Sequence, residues 1–400
     1  MRVPRACAIC FWLIGAFGLY RLSRRFLGKA GVLASLSFFL FFPYGVFASR
    51  SFQPDPLMIM LIIWALEALC AWDEKPTILN AVLAGVLAGM AILIKQVCVF
   101  PVGLAMAFFV VSGRGFGKAI RNIQVWVIAV LSFVPVLIYN FWGYFIQGFL
   151  VQQYQGRFNF VEIISPSLYI RWTRKLEQVF GLPLVIGSLI GTLTISQKKY
   201  RMLWLGYFLG YILYGMALPH HIGTHDYYQL LLFPLIAVGL GKLIDCVFAA
   251  LNTVSAGRLL ARALITVVLA AICGWWIADS AMTLKRNDYR IWPQLWQELA
   301  AELDPYEGQI NTIGLMDDYG SGMIYWGLRT PVIWEENVEK SDESEAMEKI
   351  RRTMMNREFL IVTDFESYYQ QPRLQRWLMQ NTQVYRQTAD YLIFDLREIE

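Results

Sequence analysis

Charge is scarce in this chain. Only 16% of its 400 residues are Asp, Glu, Lys or Arg, while 57% are hydrophobic, and the mean hydropathy is +0.45. Soluble domains carry about 25% charged residues, so a chain that is soluble throughout is excluded. Histidine is scarcer still. There are three, His220, His221 and His225, all within Pro219–Gln229. The six cysteines (Cys7, Cys10, Cys70, Cys98, Cys246, Cys273) lie in or beside apolar runs, and none falls after Asp279. A disulfide framework is thereby excluded, and Cys7-x-x-Cys10, inside an apolar run, reads as two small buried hydrophobes. A glycine-rich phosphate loop is also missing, because Asp318-Tyr-Gly-Ser-Gly322 lacks the spacing of a P-loop or dinucleotide fingerprint. The net charge of +5 is spread over loops between apolar runs, which speaks for a membrane surface and against nucleic acid.

What the chain has is long apolar stretches. A span needs about 20 mostly apolar residues to cross a core of about 30 Å. About ten windows qualify: Ala6–Tyr20, Gly31–Ser49, Leu57–Trp72, Leu79–Ile94, Val97–Val111, Ile123–Trp142, Leu182–Ile195, Met202–Leu218, Leu230–Ala249 and Ala263–Ala278. Residues 1–280 therefore read as a polytopic α-helical membrane domain of about ten transmembrane helices. Residues 281–400 read as a small soluble α/β domain. Its expected elements are helices at Trp292–Leu303, Glu343–Met355 and Leu374–Met379, with strands at Ile310–Met316, Pro331–Trp334, Phe359–Asp364, Val384–Arg386 and Tyr391–Leu396. Alternating elements suit an α/β layer, here a lid or acceptor-docking module.

Lys and Arg concentrate in cytoplasmic loops. Arg21, Arg24, Arg25 and Lys29 form one basic loop, Arg114, Lys118 and Arg121 a second, Lys198, Lys199 and Arg201 a third, and Lys242, Arg258 and Arg262 a fourth. These are alternate loops, so one topology satisfies them all. It places Arg50–Asp55, Lys95, Gly143–Gly181, Pro219–Gln229 and the C-terminal domain on the non-cytoplasmic face. Ten spans with that orientation put Met1 outside, from which an N-terminal truncation by one helix and its outer loop is expected.

Several polar groups then share the outer face. Asp55, before Pro56, is either a helix-start acid favoured by the dipole or a carboxylate holding a divalent metal or polarising an acceptor. Lys95 interrupts nearly continuous apolar sequence after the small residues Gly85, Ala88, Gly89 and Ala91, which permit close helix packing. It either snorkels to the headgroups or neutralises a phosphate. Arg171, Arg174 and Lys175 share one helical face, belonging either to an interfacial helix anchored by Trp172 or to a clamp for a lipid phosphate. The histidine spacing matches no standard zinc motif. His225 and Asp226 are expected on substrate, with Tyr227 and Tyr228 in the interfacial aromatic belt. Asp317-Asp318 reads as a solvated turn.

This order is a basic first loop, Arg50…Pro54-Asp55-Pro56 opening a helix, a small-residue helix ending Ile-Leu-Ile-Lys95-Gln96, a long outer loop, and His225-Asp226-Tyr-Tyr-Gln-Leu…Pro234. It resembles the GT-C superfamily of polyprenyl-phosphate-sugar glycosyltransferases, the relatives of lipid A aminoarabinose transferase and protein O-mannosyltransferase, over nearly the whole chain. The resemblance implies an inverting hexosyl or pentosyl transferase in a bacterial plasma (inner) membrane. It would move a sugar from a polyprenyl-phosphate carrier to a lipid, glycan or protein acceptor. By the same resemblance Asp55, His225 and Asp226 are catalytic and Lys95 binds the carrier phosphate, while Arg50, Arg171 and Arg174, by their place on the outer face, are further candidates to bind it. A divalent metal (Mg or Mn) is an open expectation, with Asp55 as its ligand. The family's principal acid lies in a first outer loop that precedes this chain's first run, so the chain alone carries every part except that base. The rival readings are a lipid-linked oligosaccharide ligase or polymerase, a transporter, and a non-catalytic partner subunit. A transporter predicts ionisable groups near span centres and internal repeats, whereas Asp55, Lys95 and His225 sit at span ends.

Overall fold

The structure, a computed structural model, describes every residue except 1, 52, 155–159, 253–256, 287–290, 304–311, 335–336, 398 and 400. It divides into two compact units, Met1–Thr283 and Leu284–Glu400.

The first unit is helical: α1 (Arg2–Ser23), α2 (Lys29–Phe41), α3 (Pro43–Ala48), α4 (Asp55–Glu74), α5 (Ile78–Ile94), α6 (Val99–Arg114), α7 (Phe116–Arg121), α8 (Ile123–Phe141), α9 (Phe149–Tyr154), α10 (Pro166–Phe180), α11 (Leu182–Leu193), α12 (Lys198–Ala217), α13 (Pro219–Thr224), α14 (Phe233–Asn252) and α15 (Arg258–Arg286). Six helices among the described residues are long and apolar enough to cross a membrane, or seven if the bent pair α10–α11 forms one span. This corrects the expected count of about ten: α5 has only 17 residues, α12 opens on Lys198, Lys199 and Arg201 and is not among the six, and proline and glycine break the other two windows. The window Gly31–Ser49 breaks at Phe42, which is extended (φ −60°, ψ 129°) before Pro43, because a residue preceding proline is pushed out of the helical region. The window Leu182–Ile195 yields only the 12 residues of α11. That helix meets α10 at 88° across Gly181 at φ +77°, a left-handed geometry that favours glycine. With six or seven such helices, a count of ten no longer sets the side on which Met1 lies.

Small residues decide which helices touch. α5 packs on α8 and α4, α6 on α12, and α14 on both α2 and α11. At the last crossing the backbones nearly meet. A Cβ added to Gly191 would lie 1.9 Å from the Gly239 carbonyl oxygen, whereas one on Gly187 would find Leu243 at 3.4 Å. Backbone has nowhere to move, so Gly191→Ala should cost at least the roughly 1–3 kcal/mol usual for overpacking. Thermal unfolding in detergent checks this. Gly187→Ala is the control and should leave the midpoint unchanged.

α4 is the most buried of these spans, and it carries acids at both ends. At its C-terminal end Glu67 accepts from Arg21 Nε (3.0 Å) and Arg25 Nη2 (2.8 Å), and Arg25 also pairs with Glu74. Asp73 takes Arg114 and Lys199, each at 3.0 Å. The first three basic loops thus converge on one end of α4. Asp55 lies at the other.

In the second unit, α16 (Trp292–Glu302), β1 (Thr312–Leu315), α17 (Ser321–Tyr325), β2 (Val332–Ile333), α18 (Glu343–Met354), β3 (Phe359–Val362), α19 (Phe365–Tyr369), α20 (Pro372–Asn381), β4 (Gln383–Gln387) and β5 (Leu392–Asp395) build a sheet of order β2-β1-β3-β5-β4. β1 is parallel to β2 and β3, and β5 is antiparallel to β3 and β4. Alternation along β3 sends Leu360 and Val362 to one core with Ile350 of α18 and Leu374 of α20. It sends Phe359 and Ile361 to another with Trp296 and Leu299 of α16. Side chains alternate between sheet faces, so both faces are covered by helices, as an α/β layer requires. The expected strand start at Ile310 and Asn311 lies outside the described residues.

Desolvation, and then Asp364, raise the Asp317 carboxyl above its ordinary value. A carboxyl raised in the folded state binds its proton more tightly there, so its charged form opposes folding at neutral pH. Asp317→Asn should therefore raise the unfolding midpoint at neutral pH. That gain should disappear on acidification through the ordinary carboxylate range, which a pH series of melts would show.

Candidate active site

Asp55 occupies the first turn of α4, between Pro54 and Pro56, and is 2% exposed. No side chain caps this helix, and Asp55 is the acid of its first turn. Its Oδ1 accepts from Lys95 Nζ at 2.7 Å, and its buried Oδ2 has no hydrogen-bond partner. Lys95 stands where α5 ends (φ −144°, ψ 109°) and the chain turns through Gln96–Cys98 into α6. Its side chain is 22% exposed and turns toward Asp55. The α4–α5 packing, tight because α5 is rich in glycine and alanine, brings the start of one helix beside the end of the next.

The histidine loop supplies the facing wall. It comprises α13 and a tight helical segment, Asp226–Leu232. Lys95 Nζ lies 4.7 Å from the Tyr227 ring centroid and 5.6 Å from that of Tyr228, within cation–π range. His225 is exposed and stacks on Tyr227 at 5.1 Å and 13°. Asp226 Oδ1 accepts from the Tyr227 amide at 2.8 Å, and the Tyr44 hydroxyl of α3 reaches the Asp226 carboxylate. Tyr227 and Tyr228 thus lie against the Lys95 ammonium.

The expected arginines behave differently. Arg171 is held by Glu162 at 3.1 Å and Ser167 at 3.1 Å, and its stem lies against Gly223 of α13. It therefore supports the histidine loop. Arg50 and Arg174 make no ion pair among the described residues, and nothing ties them into the Asp55–Lys95 cluster.

Trp172 is not an interfacial anchor. It is 5% exposed, and its Nε1 donates to the Tyr211 hydroxyl at 2.6 Å. Tyr211 in turn donates to Gln229 Oε1, and Gln229 Nε2 to the Ile222 carbonyl at 2.8 Å. This buried relay ties α10 and α12 to the histidine loop. The reading from sequence missed it, and it missed Tyr44. The one available signal was a polar residue, Gln229, opening an apolar run.

Among the described residues, no three His, Cys, Asp or Glu side chains cluster closely enough to hold a metal ion. At Asp55 the Lys95 ammonium already stands on Oδ1, where a second cation would be repelled. The donor set present does not fit a resident divalent ion.

The family described as dolichyl-phosphate-mannose-protein mannosyltransferase matches residues 1–139. No curated protein sequence matches the chain. Among solved structures, ArnT from Cupriavidus metallidurans in the apo state is 12% identical, with a TM-score of 0.58 over 98% of this chain and 83% of that one. The same protein bound to undecaprenyl phosphate gives 0.54 at 12% identity, over 98% and 84%. The Archaeoglobus fulgidus oligosaccharyltransferase gives 0.53 at 13% identity, over 90% of this chain and 56% of that one.

The chain has the GT-C fold.

Within this GT-C fold, the Asp55–Lys95 pair and the tyrosines over it occupy one end of the bundle. The basic loops occupy the other. The chain is an integral membrane protein.

Proposed function

We propose that this protein is a membrane glycosyltransferase that takes a sugar from a polyprenyl-phosphate carrier and passes it, with inversion, to a lipid, glycan or protein acceptor on the non-cytoplasmic face. The observation that carries this reading is the buried Asp55–Lys95 pair beneath Tyr227 and Tyr228 in a GT-C fold. One proton of the ammonium is committed to Asp55 Oδ1 and the others remain for an anion. In the reaction the acceptor oxygen bonds to the anomeric carbon while the bond from that carbon to the phosphate oxygen breaks. The electron pair leaves with the phosphate, and Lys95 stabilises its growing charge in a partly dry site, where such interactions are strongest. Asp55 Oδ2, buried and unpartnered, accepts the acceptor proton, the role that the resemblance gives to an acid of the first outer loop. His225 and Tyr227 wall the sugar's place. The bundle end opposite the basic loops is the non-cytoplasmic face by the positive-inside rule.

The test supplies purified full chain in liposomes with a panel of polyprenyl-phosphate sugars and mixed acceptors, reading release of free polyprenyl phosphate together with a glycosylated product. Turnover with at least one donor is expected, and no turnover with any donor would defeat the reading. Because the ligand set does not fit a resident ion, EDTA should change the rate by less than about twofold. Loss of activity with EDTA and recovery with Mg or Mn would return a metal to Asp55.

A further inference from the structure

A second feature lies away from this site. α6 packs on α12 and α8 packs on α5, so the two helices that α7 joins diverge. The space between them is a chamber of about 220 Å³, walled by Met106 and Val110 of α6, Ile120 of α7, and Trp126, Ala129 and Phe133 of α8. Its wall is almost wholly apolar. The Ser132 hydroxyl in it is spent on the Ile128 carbonyl at 2.7 Å. At the mouth, Phe116, Ile120 and Trp126 are 67%, 47% and 53% exposed, and the Trp126 indole donates to the Ile120 carbonyl at 2.8 Å, which fixes it there.

The same short helix carries charge. Lys118 and Arg121 lie in the last turn of α7, both exposed and neither in an ion pair among the described residues. The nearby acid, Asp73, is already shared by Arg114 and Lys199. An apolar chamber opening beside uncompensated cations complements an amphiphile with a hydrocarbon chain and an anionic head. Water does not fill apolar cavities, and interfacial Lys and Arg attract anionic lipids.

We propose that this chamber holds one hydrocarbon chain of an anionic membrane phospholipid whose phosphate rests on Lys118 and Arg121. The phosphate position on Lys118 and Arg121 is distinct from that of the sugar carrier at Lys95. Leu69, on the chamber wall, lies about 21 Å along α4 from Asp55 at 1.5 Å per residue. By wedging between α6 and α8, the lipid completes a bundle that the protein leaves open.

The test is native mass spectrometry of the delipidated full chain, titrated with phosphatidylglycerol or phosphatidylcholine. Phosphatidylglycerol should bind at least about tenfold more tightly, the scale set by two interfacial cations. Lys118→Glu with Arg121→Glu, both exposed, should erase that preference. Ala129→Phe, which fills the chamber, should remove binding of either lipid while the protein stays monodisperse. If Ala129→Phe fails to fold, the charge-reversed variant still decides. An unchanged preference in that variant overturns the proposal, as does equal binding of the two lipids by the wild-type chain. Recovery of polyprenyl phosphate in place of phospholipid would overturn it too.

Discussion

Lys95→Ala in the full chain is expected to lower sugar transfer by about 100- to 1,000-fold, the effect of removing one preorganised group from developing negative charge. The substitution also strands Asp55, whose carboxylate is 2% exposed. Breaking a buried pair from one side costs about 3–5 kcal/mol, so loss of activity alone would not separate chemistry from folding. The double variant Lys95→Met with Asp55→Asn removes both charges together. It should recover most of the lost stability, because well-packed neutral replacements of buried ion pairs are often nearly neutral. Its transfer activity should stay at the level of Lys95→Ala. Thermal melts and initial rates on the same preparations give both readouts. A double variant that regains stability and transfers sugar at the wild-type rate would remove Lys95 and Asp55 from the chemistry.

Trp172→Ala should be the most damaging single change at the histidine loop. It deletes a side chain that is 5% exposed and packs over Gly215 of α12, and burial losses of that size cost about 3–5 kcal/mol. It also leaves the Tyr211 hydroxyl without its donor. Trp172→Phe keeps much of the volume and loses the hydrogen bond, so it should cost only about 1–3 kcal/mol. The loop that carries Tyr227 and Tyr228 hangs on this relay. Both variants should therefore raise KM for the carrier-linked sugar more than they lower kcat. Equal melting midpoints for Trp172→Ala and wild type would show that the relay does not hold the loop.

Much of the architecture was legible in the sequence. In the second unit the expected Glu343–Met355 helix and Phe359–Asp364 strand correspond to α18 and β3, because a stripe or an alternation of apolar residues is a local property. In two of the overcounted windows the cause was also local. Phe42-Pro43 and Gly181 break runs whose average hydropathy hides the break.

The site was legible only in its ingredients. Asp55, Lys95 and the His225–Tyr228 loop were visible as polar punctuation between apolar runs, and their chemistry limits what each can do. Nothing in the sequence paired Asp55 with a residue 40 positions away, laid Tyr227 and Tyr228 on its partner's ammonium, or buried Trp172 against Tyr211. Those contacts depend on which helices pack together and in what register. The fold sets that through close backbone approaches such as Gly191 on Gly239. Hydropathy and proline placed the polar groups at helix ends. The crossings between helices decided which of those ends meet, because a hydrogen bond between separate helices forms only where their packing brings donor and acceptor within about 3 Å.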